Sequence, residues 1–398
     1  MDFSQQFNEL NNFEFKTRNN LQIRIEKVLI DDIQIFKLIN INLNSKKFMV
    51  YIHGGPNLSC IDYLNDTRCG FFRSVELLMQ ETNIIFVEQK VEIDNSVLEK
   101  FNELNLFTYI IESFGSEAQA RRYAKVIVNF LKNENHIGIF AQSYGAQILF
   151  DLVGLNIIPW ENISYITLSS PFVRNDNCDD FLLQRREKVQ KLISEMAVIF
   201  QEDLKIIKSN LSQIGMEDYW NKLSVYMTHP AYPVGIIENN LRNLFKKVHH
   251  LNQEELKNFF KVEETDLVNY IIGSFYFTPL SNYYESSKSV LKQLIPNSSI
   301  PDEMQWFLKS WEKNLNSKLI HVKSKKLNDN LQHFIYLAEI AKFPIFIYFD
   351  PKDISIPVDR ISEALIPQLE KYAYFECREN YGHWIGNYIF HRQLRKIV

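Results

Sequence analysis

Ser143 lies where a short apolar segment, 136–140, gives way to a helical pattern that begins at Ala146. The residues two positions before and after the serine, Ala141 and Gly145, are both small. A serine at a strained strand-to-helix turn presents its hydroxyl for nucleophilic attack, and small neighbours let adjacent backbones approach. The usual pattern is G-x-S-x-G, and alanine at its first position adds only one methyl group. The sequence therefore predicts a nucleophile at Ser143, with an ordinary helix-capping serine as the alternative.

A serine nucleophile needs a base that takes its proton and an acid that orients that base. Later loops supply both groups directly after predicted strands. The loop after the predicted strand 343–349 carries Asp350 and Asp353, and the loop after the last predicted strand carries His383. We predict His383 as the base. Asp353 lies further into its loop and is the preferred acid, Asp350 is the alternative, and Asp176 is held in reserve.

A fourth element is the HGGP loop, His53-Gly54-Gly55-Pro56, which follows the third predicted strand. Attack on a carbonyl group places negative charge on its oxygen, and aligned backbone N–H groups stabilise that charge. Glycine lets such a loop approach closely. We expect one N–H donor from Gly55 and the other from Tyr144, with His53, Gly54 and Pro56 supporting the loop. A plain glycine-rich turn is the alternative.

Composition limits the classes of partner. The 398 residues carry a formal net charge of −4 and are 46% hydrophobic, enough for a sizeable core but without the basic excess of a nucleic-acid-binding protein. The four cysteines contain no C-x-x-C pair, so thiols rather than disulfides or a zinc site are expected. We expect no metal and no cofactor.

Neither a signal peptide nor a membrane-spanning segment is visible. The first residues lack a basic region followed by an apolar one, and no apolar run approaches the ~20 residues that a spanning helix needs. We therefore expect a cytoplasmic protein that does not associate with membranes.

The hydropathy pattern predicts an α/β fold with a mostly parallel sheet of eight strands. The predicted strands are 21–28, 33–39, 47–52, 83–87, 136–140, 163–168, 343–349 and 372–376. A helix is predicted over 116–131, and helical periodicity runs from about 179 to 341. We expect a core made of residues 1–175 and 342–398, with residues 176–341 forming a large helical lid inserted after the sixth predicted strand. A lid at that edge of the sheet can exclude water and select the substrate.

The order of these motifs resembles the α/β-hydrolase superfamily. Within it, the HGGP loop together with Gln142-Ser143-Tyr144-Gly145 is similar to the proline iminopeptidase branch, serine exopeptidases that remove N-terminal proline. The resemblance implies Ser143 as nucleophile, Asp353 as orienting acid, His383 as base and a helical cap. Two segments depart from the branch. Asn57 stands where glycine usually continues the loop, and residues 88–96 keep only Gln89 and Ser96 of the usual D-Q-R-G-x-G-x-S.

Three functions follow from these residues. The first is a serine hydrolase that cleaves a small amide or ester through an acyl-enzyme, with iminopeptidase-like cleavage of a short peptide as the leading form. The second is an esterase, thioesterase or acyltransferase of specialised metabolism, which would also form an acyl-enzyme. The third is a non-catalytic binding module. Epoxide hydrolase chemistry is disfavoured because it needs an aspartate in place of Ser143.

Overall fold

The structure is a computed structural model. It describes residues 12–17, 19–43, 47–55, 59–65, 71–90, 109, 112–132, 136–173, 191, 194–195, 198–215, 252–255, 318–353, 356 and 365–397. By its internal contacts the chain divides into two compact units. The first contains Met1–Glu92, Glu112–Asp176 and Lys323–Val398, and the second contains Ile93–Ile111 and Asn177–Val322.

In its described residues, the first unit is built on one mixed sheet of nine strands in the order β1-β2-β3-β5-β4-β6-β7-β8-β9. The strands are β1 (Asn12–Lys16), β2 (Gln22–Ile30), β3 (Ile33–Asn40), β4 (Phe48–Ile52), β5 (Asn83–Val87), β6 (Ile137–Gln142), β7 (Ile163–Ser169), β8 (Ile345–Phe349) and β9 (Tyr374–Cys377). Pairings from β1 to β5 are antiparallel, and those from β5 through β9 are parallel.

The strand β1 corrects the prediction of eight strands. It pairs antiparallel with β2 at the edge of the sheet, and its residues alternate between exposed and half-buried. Such an edge strand needs only two apolar side chains, Phe13 and Phe15, on its inner face. Five residues with so little apolar content give a weak sequence pattern, which is why this strand was missed.

Helices connect the strands. In the first unit they are α1 (Cys60–Asn65), α2 (Phe71–Leu78), α3 (Ser116–Leu131), α4 (Gly145–Gly154), α7 (Ile366–Leu369), α8 (Ile385–Ile389) and α9 (His391–Ile397), and the second unit contains α5 (Gln201–Gln213). The helix α6 (Lys318–Ile340) begins in the second unit and continues into the first. The prediction of a helix over 116–131 is confirmed by α3. Most of the predicted lid, 176–341, lies outside the described residues, so the lid stays a prediction.

The central strands are buried along their whole length. Every residue of β5, β6 and β8 is buried, so both faces of this part of the sheet are covered. On one face, the Tyr51 ring stacks between Phe86 and Phe140, with ring centroids 5.0 and 4.8 Å away. Continuous apolar strands of this kind are typical of parallel sheets. No helix among the described residues is long and apolar enough to span a bilayer.

Parallel pairing determines where the loops meet. The carboxyl ends of neighbouring parallel strands point to the same edge of a sheet, where sites of α/β proteins form. At this edge β4 leads into the HGGP loop, β6 into Ser143, β8 into Asp350 and β9 into the loop of His383. All four predicted site segments therefore leave the sheet on one side.

The helix that follows Ser143, α4, carries a buried carboxyl group, Asp151, which binds it to the helix α6. Asp151 is 1% exposed and accepts hydrogen bonds from Asn330 Nδ2 of α6 at 2.7 Å and from Gln147 Nε2 at 3.3 Å. The two helices approach closely at Gly154, where a Cβ atom would lie 1.9 Å from Asn330 Oδ1. Burial raises the pKa of Asp151 to about 6 and outweighs its hydrogen bonds to Ser116 and Asn330, which lower it.

This pKa predicts a pH-dependent contribution to stability. Between about 4 and about 6 the folded protein binds a proton at Asp151 that the unfolded chain has released, so the free energy of unfolding should fall as pH rises through this range. At ~1.4 kcal/mol per pH unit, the loss is about 3 kcal/mol. The variant Asp151→Asn has no carboxyl group at this position, so it should not show this loss of unfolding free energy. Urea unfolding of both proteins at pH 4 and pH 7 measures the difference, and an identical pH dependence in the two would contradict the assignment.

Candidate active site

Ser143 occupies a strained turn between β6 and α4. Its φ of +54° is rare for a residue other than glycine. Backbone hydrogen bonds fix the turn: Ser143 N–H donates to Ser169 O at 2.9 Å, and Ser143 O accepts from the N–H groups of Ala146 at 3.0 Å and Phe172 at 3.1 Å. The neighbours Gln142 and Tyr144 are buried, whereas Ser143 is half-buried. The fold thus leaves the Ser143 side chain partly accessible between two buried neighbours.

The residues around Ser143 are small because neighbouring atoms leave no space for larger side chains. A Cβ atom on Gly145 would lie 2.1 Å from Ile52 O, and one on Gly54 would lie 3.1 Å from Ser143 Cβ. Ala141 is fully buried in β6 opposite Ile52 of β4. The end of β4 and the start of the HGGP loop therefore press directly against the turn, and larger side chains would separate them.

His383 and Asp353 are in direct contact. His383 Nδ1 lies 2.8 Å from Asp353 Oδ2, and their side chains are 18% and 3% exposed. The other carboxylate oxygen, Oδ1, accepts the N–H of Ile356 at 3.3 Å. A neutral imidazole that donates its Nδ1–H to this carboxylate retains the Nε2 lone pair as a proton acceptor. A buried carboxylate thus orients a partly exposed imidazole.

Gln142 joins this pair to the serine turn. Its side chain is fully buried, and its Nε2 donates to His383 O at 3.4 Å. The residue directly before Ser143 therefore contacts the backbone of His383, which brings the two loops side by side. Sequence reasoning did not assign a role to Gln142. The available signal was a polar side chain at the end of an otherwise apolar strand.

The HGGP loop is held by its own histidine and by Gln89. His53 is fully buried, its Nδ1–H donates to Gly54 O at 2.8 Å, and Gln89 Nε2 donates to His53 O at 3.1 Å. Burial lowers the pKa of His53 to about 4, so this imidazole is neutral near pH 7. Gly55 has φ +148°, a conformation that favours glycine. Pro56 lies outside the described residues.

The remaining acid candidates differ in placement. Asp350 is fully buried, and its carboxylate accepts backbone N–H groups rather than the imidazole of His383. Asp176 lies outside the described residues. The structure thus brings Asp353, not Asp350, to His383, and it reveals a structural use of Asp350 that sequence reasoning did not anticipate.

No group of three or more potential metal ligands occurs among the residues that the structure describes. Of the four cysteines, two are described, both as thiols: Cys60 is buried and Cys377 is exposed. Around Ser143 the structure thus shows an acid–base pair, Asp353 and His383, on loops of which one contacts the residue directly before the serine.

Comparison with known proteins gives low similarities. No protein-family model and no curated protein matches the chain. Among solved structures, a serine hydrolase from Cycloclasticus zankles is 8% identical, with 94% of this chain and 96% of that chain covered and a TM-score of 0.41. An epoxide hydrolase from Vigna radiata is 11% identical, with 94% and 96% covered and a TM-score of 0.38. A putative esterase from Staphylococcus aureus is 12% identical, with 100% and 88% covered and a TM-score of 0.38.

These structural neighbours are all named as hydrolases, although their reactions differ. Their TM-scores against this chain lie between 0.38 and 0.41.

The contact at Gly145 predicts a large effect of one methyl group. The variant Gly145→Ala should lower the free energy of unfolding by about 3 kcal/mol or more, because the new Cβ would meet a backbone oxygen that cannot rotate away. Gly382→Ala is the control: nothing lies within 4 Å of its Cβ, so only the strain of φ +65°, about 1–2 kcal/mol, is added. Urea unfolding should rank Gly145→Ala as clearly less stable. An equal loss in both variants would refute the close approach.

Proposed function

We propose that this protein is a serine hydrolase of the α/β-hydrolase fold, with Ser143 as nucleophile, His383 as base and Asp353 as the acid that orients it. The observation that carries the proposal is the 2.8 Å contact between His383 Nδ1 and Asp353 Oδ2, on a loop whose backbone accepts a hydrogen bond from the residue before Ser143. The strained φ of Ser143 supports it, because such turns expose a nucleophile.

The mechanism follows from these positions. His383 Nε2 takes the proton of Ser143 Oγ as that oxygen attacks the substrate carbonyl, and Asp353 stabilises the resulting imidazolium. The N–H groups of Gly55 and Tyr144 stabilise the oxyanion. The imidazolium then protonates the leaving amine or alcohol, which departs and leaves an acyl-enzyme. A water molecule, deprotonated by His383, then attacks the acyl group. Ser143 Oγ leaves and takes that proton back from His383, and the carboxylic acid product is released.

Iminopeptidase-like cleavage of a short peptide is the leading activity, because the HGGP loop and the Gln142–Gly145 turn both match that branch. Gln89, which is also shared, donates to His53 O and so supports the same loop. The departures at Asn57 and around Glu88 favour the second candidate, an esterase, thioesterase or acyltransferase, because they alter the segments next to the HGGP loop. A helical lid over the site belongs to the same proposal.

A fluorophosphonate probe tests the nucleophile. Its phosphorus is attacked by an activated serine oxygen and fluoride leaves, so the wild type should be labelled. Ser143→Ala should abolish labelling, and His383→Ala and Asp353→Asn should slow it by about 10³–10⁴-fold.

Ser170→Ala is the matched control. Ser170 is fully buried just beyond the end of the adjacent strand, β7, and also has a positive φ, +43°. This variant should be labelled as the wild type is. A folded wild type that remains unlabelled would refute the hydrolase and favour a non-catalytic binding module.

The peptidase form makes a separate prediction about the substrate's amino group. An aminopeptidase binds a free α-ammonium, so L-prolyl-p-nitroanilide should be cleaved with a kcat/KM at least about 100-fold higher than the N-acetylated compound, as loss of a charge-assisted hydrogen bond predicts. p-Nitrophenyl butyrate, measured in parallel with Ser143→Ala as blank, reports ester cleavage. Efficient ester cleavage with no preference for free proline would contradict the peptidase and favour the esterase.

A further inference from the structure

Asp350 is a fully buried carboxylate at the carboxyl end of β8. Its Oδ1 accepts the N–H of Lys352 at 2.7 Å. Its Oδ2 accepts two further N–H groups, those of Tyr381 at 2.7 Å and Gly382 at 2.6 Å. One side chain thus binds the backbone of two loops: the loop after β8, which carries Asp353, and the loop after β9, which carries His383.

The second loop is shaped to receive this carboxylate. Asn380 and Gly382 have φ values of +70° and +65°, and Tyr381 between them has φ −99°. Alternation of right- and left-handed residues directs successive N–H groups into one concavity, which binds an anionic oxygen. Here that oxygen is Asp350 Oδ2. The left-handed backbone of Asn380 and Gly382 is therefore explained by the hydrogen bonds that it makes possible.

The same carboxylate also orders the first loop. Lys352 N–H donates to Asp350 Oδ1, and Asp353 N–H donates to Asp350 O at 2.9 Å, so Asp353 is held in a tight turn. Asp353 then reaches His383 Nδ1. Two links therefore join these loops. One is the direct contact between Asp353 and His383, and the other consists of the hydrogen bonds from both loop backbones to the Asp350 carboxylate.

We propose that Asp350 is a positioning residue which sets the distance between Asp353 and His383 by binding the backbones of both loops. The role of this distance in catalysis rests on the proposed function, because only there does His383 act as a base. Asp350 itself touches neither the imidazole nor Ser143 in the contacts described above and is not assigned as a catalytic residue.

The chemistry requires a carboxylate rather than an amide. All three partners of the side chain are N–H donors, and an ionised carboxylate is acceptor-only on both oxygens. Asparagine would keep one oxygen but place its NH₂ group against at least one of these N–H groups. That backbone donor would face a second donor instead of an acceptor and lose its hydrogen bond, and the two loops would move apart.

A surface contact between the same loops provides the comparison. Lys352 Nζ lies 2.8 Å from Glu379 Oε2 and 3.1 Å from Asn380 Oδ1, with the side chains of the lysine and glutamate more than half exposed. Exposed ion pairs contribute little to stability. Lys352→Met therefore removes a link between the two loops without changing the Asp350 carboxylate or the Lys352 N–H group.

The experiment compares Asp350→Asn with Lys352→Met and Asp353→Asn in the full chain. Proton NMR of the wild type should show a downfield imidazole N–H signal from the His383–Asp353 hydrogen bond. We expect Asp353→Asn to remove this signal, Asp350→Asn to weaken or remove it, and Lys352→Met to keep it. Labelling with a fluorophosphonate should slow by about 10–100-fold in Asp350→Asn and by less than about 2-fold in Lys352→Met, as displacement of a catalytic group predicts.

Two readouts separate this proposal from the proposed function. The NMR signal reports the loop geometry whether or not Ser143 is reactive, so an unlabelled wild type that shows the signal refutes the hydrolase alone. A folded Asp350→Asn protein with wild-type signal and labelling overturns the role of Asp350. If Asp350→Asn does not fold, amide hydrogen exchange in the wild type decides: protection of the Tyr381 and Gly382 amides comparable to that of β9 supports the link, and exchange as fast as in an exposed loop overturns it.

Discussion

The carbonyl oxygen of Ile52 occupies space that a side chain on residue 145 would need, since a Cβ there would lie 2.1 Å from it. This contact sets how closely the end of β4 approaches the turn after β6. Parallel pairing of β4 with β6 aligns the two strand ends, and the glycine lets the following loops touch. The HGGP loop, the strained serine and the α4 helix all take their positions from this approach.

The parts of the fold that were predicted from sequence are those with strong local patterns. The strands β5, β6 and β8 are buried throughout, so they appear in the sequence as continuous apolar runs. The preference for Asp353 over Asp350 used only loop placement. The contact of His383 with Asp353 agrees with that preference, because Asp353, four positions beyond the end of β8, reaches the loop that follows the neighbouring strand β9.

Other features depend on long-range contacts that no local pattern reports. Asn330 donates to Asp151 from a position 179 residues later in the chain, and Gln142 reaches His383 across 241 positions. Within its own segment, Asn330 cannot be distinguished from an ordinary surface residue of a helix, and Gln142 is only a polar residue at the end of an apolar strand. Their partners become visible only when the sheet has assembled. The edge strand β1 escaped prediction for a different reason, because five alternating residues contain too few apolar side chains.

Because Gln142 and His383 are far apart along the chain, the two parts of the proposed site are synthesised at different times. The turn with the serine forms from β6 and α4, whereas the imidazole arrives only with the last strand, β9, which pairs with β8. Under the proposed mechanism, a chain still emerging from the ribosome, or one that has lost its C-terminal segment to a protease, holds an inert hydroxyl. Reactivity would then appear only in finished molecules, so immature copies could not attack peptides or esters around them.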